Sequence, residues 1–158
     1  MLDEINALLL EDNDSDAELF DEAIKPYRHI HVFRIKSVSD LAECVTSVYP
    51  DILVIDLNLA GTKGLQTLTE VQKVMCDAGN GSPVIVLTGV DDLEMVNTAI
   101  NMGAQDWLIK GEVNGNLKRA IAVAVARHNA IREASQQLRN YILEKFKPII
   151  GSTGDLHG

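Results

Sequence analysis

Apolar positions along this chain follow two different periods in turn. Five short apolar runs, Ala7–Leu10, Ile30–Ile35, Ile52–Ile55, Val84–Leu87 and Trp107–Ile109, have the length of strands rather than helices. The first, third and fourth are almost wholly Leu, Ile and Val, as parallel strands covered on both faces require. The second alternates, Ile30 and Val32 against His31 and Phe33, which suits a less buried strand near a sheet edge.

Between the runs the apolar spacing becomes helical. Ala17, Phe20 and Ile24 share one face, then Leu41 and Val45, then Leu65, Leu68, Val71 and Met75, then Leu93, Val96 and Ile100. Pro26 and Gly103 lie beyond helix ends, and Asp14 or Ser15 is placed to cap the first helix. Gly79–Pro83 reads as a loop. Five strand–helix alternations predict a doubly wound α/β domain, and right-handed crossovers make its five-stranded sheet parallel.

Past Asn116 the period changes again. Leu117, Ile121, Ala124, His128, Ile131, Ser135, Leu138 and Ile142 follow alternating steps of four and three, a heptad seam longer than covering the sheet requires. The expected organisation is a domain over residues 1–128 and a helical extension over 129–147, suited to a coiled coil. Pro148 should stop the helix, leaving 148–158 as a Gly-containing disordered tail. The extension either packs back on its own domain or pairs and docks, and the sustained heptads favour a homodimer or a docking helix.

Charge narrows the function. The 158 residues carry a net charge of −9, which argues against binding nucleic acid, since neutralising phosphates needs a basic face. The distribution is uneven: nine acids fall within the first 22 residues, and half of the 14 basic residues lie between Lys118 and Lys147. No apolar run reaches the roughly 20 residues of a membrane span, and the acidic N-terminus suits neither a signal nor a transit peptide. A cytoplasmic protein is expected, with Cys44 and Cys76 as buried, reduced thiols.

In an open parallel sheet, ligands bind beyond the carboxyl ends of the strands. The first run ends in Glu11 and Asp12, the third in Asp56, the fourth in Thr88 and the fifth in Lys110. Three carboxylates, a hydroxyl and an ammonium therefore converge on one rim. Three acids so close call for a hard divalent cation such as Mg2+, which keeps waters and takes one or two carboxylates plus phosphate oxygens. A carboxylate in that setting can itself attack a phosphoryl donor, because phosphoryl transfer needs mainly positioning and charge neutralisation. Each residue alone has an ordinary explanation as a strand end or a solvated loop; together they do not.

The segments LLLEDN, ILVIDLNL, VIVLTG and GAQDWLIKG resemble, in this order, the signature regions of bacterial response-regulator receiver domains, over about residues 5–128. The resemblance implies a flavodoxin-like (βα)5 fold with strand order 2-1-3-4-5. It implies that Asp56 is the phosphoacceptor and that Asp12 is a magnesium ligand. Glu11 would act on the metal directly or through water, and Asn58 through its backbone carbonyl. Thr88 and Lys110 would hold phosphoryl oxygens, with small Gly89 leaving room. Trp107 stands where the family's switch aromatic does. The chain departs from the pattern at Ala60 and Gly111, where Pro is frequent, and at apolar Val90.

The implied partners are a histidine kinase or phosphotransfer protein and a downstream protein target, in a two-component phosphorelay. Such a chain is a phosphoacceptor rather than an enzyme turning over an external substrate. Two other readings compete: a receiver-like interaction module working without phosphate, and an Asp-nucleophile phosphatase. The second is weakened by Asn58, where phosphatases of that kind often carry a second Asp. His29 and His31 have no third metal ligand in sight and read as edge-strand histidines.

Overall fold

The computed structural model describes residues 4–59, 64–89, 93–111 and 113–157. Five strands, β1 (Ile5–Leu10), β2 (Ile30–Ile35), β3 (Ile52–Asp56), β4 (Val84–Thr88) and β5 (Asp106–Ile109), alternate with five helices. These are α1 (Asp14–Ile24), α2 (Leu41–Val48), α3 (Leu65–Asp77), α4 (Leu93–Asn101) and α5 (Val113–His157). All pairings are parallel and the order is β2-β1-β3-β4-β5, the flavodoxin-like order.

Alternation along β1 explains why the sheet needs two layers of helices. Ala7 and Leu9 point to one side, where they meet Phe20 and Ile24 of α1 and Leu117, Ile121 and Ala124 of α5. Leu8 and Leu10 point to the other and meet Leu41 and Val45 of α2, Leu68, Val71 and Met75 of α3, and Ala99 of α4. Every residue of β3 and β4 is buried, whereas β2 and β5, at the sheet edges, are only partly so.

Details at element ends differ from expectation. Asn13, not Asp14 or Ser15, caps α1: its backbone is extended and its side chain accepts a hydrogen bond from the Asp16 amide at 2.9 Å. Asp14 is instead 2.8 Å from Arg34 and 3.4 Å from Lys36, and those cations hold its carboxyl below the usual carboxylate range. Neither thiol is buried. Cys44 is half-buried and Cys76 is exposed, because it follows Met75 and so turns about 100° off the buried stripe of α3.

By contact the chain divides into two compact units, Met1–Val125 and Ala126–Gly158. The second is helical throughout its described length, and α5 runs through Pro148 to His157. The expected stop at Pro148 and disordered tail are not what the structure has. Proline's fixed φ of about −65° is itself helical, so a helix can continue through it, at the cost of one backbone hydrogen bond and of crowding against the carbonyl four residues back. Along α5 the heptad positions change character. Leu117, Ile121 and Ala124 are buried, while Ile131 and Leu138 are each 60% exposed and Ile142 44%. Among the described residues no helix is long and apolar enough to cross a membrane.

Candidate functional site

Parallel register brings the strand ends to one rim. Leu10 of β1 lies beside Ile55, Asp56 beside Leu87, and Thr88 beside Ile109. The residues that follow, Glu11 and Lys110, therefore flank Asp56 from either side. The Lys110 amide extends the ladder by donating to the Thr88 carbonyl at 2.9 Å. Gly111 then takes φ +89°, a left-handed conformation open to glycine and strained for other residues, and the chain leaves the rim.

The ammonium of Lys110 is the hub. Its Nζ donates to Asp56 Oδ2 at 2.8 Å and to Asp16 Oδ2 at 2.9 Å, and it lies 3.2 Å from Glu11 Oε2. Burial works against its charge, but the hydrogen bonds to Asp56 and Asp16 and the charges of Asp56 and Glu11 outweigh it, so its pKa is raised. Asp56 is 2% exposed, and its Oδ1 accepts the Asn58 amide at 2.9 Å. One carboxylate oxygen is thus fixed by backbone and the other by the lysine.

Glu11 is fully buried. Its Oε1 accepts the Asn13 amide at 3.1 Å, and Arg34 Nε donates to its backbone carbonyl at 2.9 Å. Its Oε2 is buried with no well-directed hydrogen bond, the Lys110 ammonium lying 3.2 Å away. Burial above all, with the charge of Asp56, pushes its pKa up to about 7, against the pull of the Asn13 amide and of Lys110. Carboxylate oxygens of Glu11, Asp12 and Asp56 all lie within 4.8 Å of one another. A buried acceptor lacking a well-directed hydrogen bond beside two more hard oxygen donors fits a divalent cation of the magnesium kind.

Thr88 is buried at the end of β4, and its hydroxyl donates to the Gly89 carbonyl at 3.2 Å. Asn58 meets Asp56 through its amide and is otherwise exposed. Trp107 is on edge strand β5, beside Val86 and 37% exposed. Ala60 and Val90 lie outside the described residues. Sequence reasoning missed Asp16. Its signal was indirect: a helix that starts at the rim puts its first turn beside the site, and Asp16 is the acid in that turn that reaches inward.

A flavodoxin-like sheet whose rim gathers three acids, a buried hydroxyl and a lysine defines a class of signalling domain. Residues 7–122 match the response regulator receiver domain family, and the chain belongs to it. Nodulation protein W of Bradyrhizobium diazoefficiens is 33% identical over 101 residues, which are 62% of this chain and 43% of that protein. Regulatory protein LuxO of Vibrio cholerae is 28% identical over 148 residues, 92% of this chain and 30% of that protein. The chain thus spans less than half the length of either relative. Among solved structures, the signal receiver domain of a putative LuxO repressor protein from Vibrio parahaemolyticus superposes with a TM-score of 0.70 at 22% identity. That match covers 83% of this chain and 97% of the other.

Proposed function

We propose that Asp56 accepts a phosphoryl group from the phosphohistidine of a partner kinase or phosphotransfer protein, and that this switches the chain's contacts with a downstream protein. The observation carrying this reading is the clamping of the buried Asp56 carboxylate between the Asn58 amide and the Lys110 ammonium, with Glu11 and Asp12 adjacent. A carboxylate oxygen of Asp56 attacks phosphorus, the P–N bond of the donor breaks, and the imidazole leaves with the bonding pair and takes up a proton. Lys110 turns from the carboxylate to a phosphoryl oxygen, and the Thr88 hydroxyl turns from the Gly89 carbonyl to another. Mg2+, held by Glu11, Asp12, Asp56 and the Asn58 carbonyl, would neutralise charge on the transferred group. Withdrawal of the Thr88 hydroxyl toward the site gives Trp107 room to repack, the switch proposed for this chain.

Incubation with magnesium and acetyl phosphate, followed by intact mass, tests the reading. One added phosphoryl group is expected on the native chain and none on Asp56→Asn. An adduct that persists in Asp56→Asn, or none on the native chain, would overturn it.

For the second unit, the stripe of Ile131, Leu138 and Ile142 supports pairing of α5 with a second copy of the chain. It continues the heptad register that is buried from Leu117 to Ala124, and it leaves three large apolar side chains in water.

A further inference from the structure

Lys110 is shared three ways, and one of its partners lies outside the acidic cluster. An ammonium has three N–H donors. Here Asp56, Asp16 and Glu11 each place an oxygen within 3.2 Å of it. Glu11 and Asp56 belong with Asp12 to the group whose oxygens lie within 4.8 Å of one another; Asp16 does not. It reaches Lys110 from α1, 94 positions away in sequence. Its own backbone is fixed, because its amide donates to the Asn13 side chain at 2.9 Å. A metal at the rim would engage the oxygens of Glu11 and Asp56. The Asp16 carboxylate would still hold its share of the lysine.

We propose that Asp16 is a positioning residue that holds Lys110 back from the phosphoryl group and thereby sets how strongly the rim binds it. An incoming phosphoryl oxygen needs an N–H of Lys110, and Asp16 competes for that donor. Its negative charge beside the lysine also opposes a dianionic group directly, and the low polarity around buried Asp56 strengthens the effect. Asp16 therefore tethers Lys110 to α1 and draws it away from the phosphoryl oxygen that would replace Asp56 as its partner. The inference rests on Asp56 being the phosphoacceptor.

The test uses beryllofluoride with magnesium on the full chain, followed by fluorine NMR of the bound adduct. Asp16→Asn keeps the amide that Asn13 caps, so α1 retains its start. Removing one charge near the site should tighten beryllofluoride binding roughly tenfold at low salt, the gain shrinking as salt rises. Asp16→Glu, which restores charge and reach, should return affinity to within about twofold of the native value, electrostatics of this kind following charge rather than side-chain length. A purely structural role would instead loosen binding in Asp16→Asn. Unchanged or weaker binding in Asp16→Asn overturns the inference while leaving the phosphoacceptor reading intact. A native chain that forms no adduct overturns both.

Discussion

The rim of the sheet and the helix beyond Val125 break the inside–outside rule in opposite directions. At the rim, ionisable groups are inside: Glu11 and Asp56 are buried, with a lysine between them. On α5, apolar groups are outside: Ile131, Leu138, Tyr141, Ile142, Leu143 and Phe146 all face solvent. Buried charge is costly without a partner of opposite sign, and so is a large apolar stripe without a covering surface. Each region is thus incomplete in a way that names what completes it. On the proposed function, a cation and an anionic phosphoryl group would balance the acids and Lys110 at the rim. On the proposed pairing, another apolar stripe would cover the helix. One region reads chemistry, and the other reads shape.

The comparison breaks most severely at Lys110. Lys110→Ala leaves the Glu11 and Asp56 carboxylates buried together without their ammonium, and loss of one partner of a buried ion pair costs about 3–5 kcal/mol. Partial exposure of Lys110 lowers the expectation to about 2–3 kcal/mol at pH 8 in the presence of a chelator. Magnesium should recover much of that loss by supplying positive charge to the same oxygens. Urea unfolding with and without magnesium measures both. A loss below about 0.5 kcal/mol, the range of ordinary surface changes, would mean that the ammonium is not what makes the buried acids tolerable.

Glu11 gives the next effect, with a definite sign. Its pKa is pushed from 4.5 up to about 7 in the folded protein, chiefly by burial. Between those values the folded state binds the proton that the unfolded chain has lost, so stability must fall as pH rises. The contribution is full below about 4.5 and lost as pH passes through 7. At about 1.4 kcal/mol per pKa unit it amounts to about 3 kcal/mol at most. Magnesium acts against the proton at the same oxygens, so its stabilising effect should grow over the same window. Thermal melts from pH 5 to 8, with chelator and with magnesium, should diverge as pH rises, and Glu11→Gln should flatten the chelator curve. Parallel curves would remove Glu11 from the metal site.

How far the sequence carried these conclusions depended on the kind of signal. Strand order, the two faces of β1 and the rim residues follow from local periodicity, because a parallel register turns "next after an apolar run" into "at the same edge". Glu11, Asp56, Thr88 and Lys110 were legible for that reason. Asp16 was not, since its contact spans 94 positions and depends on where α1 begins. The cap shows the same limit. Asn13, Asp14 and Ser15 are all competent caps, and the choice was made by Arg34 and Lys36, which draw Asp14 aside. Trp107 was legible as a position but not as an exposure, because burial of an edge strand is decided by what packs over it.

The smallest effect belongs to the helix, and its sign distinguishes shape from charge. In the heptad that places Ile131 and Leu138 at d, Ile142 falls at a, Arg127 at g and Arg132 at e. Two parallel copies would set Arg127 of one against Arg132 of the other, a like-charge contact flanking an apolar seam. Self-association measured by sedimentation should therefore strengthen modestly, about two- to threefold, as salt screens that repulsion. Leu138→Ser, or truncation after Arg127, should remove the association. The substitution should also leave the melting of the first unit almost unchanged, within about 0.5 kcal/mol, because Leu138 is solvent-exposed. Association that weakens with salt would mean that the basic flanks meet acidic groups. The stripe on α5 would then be matched to a surface other than its own copy.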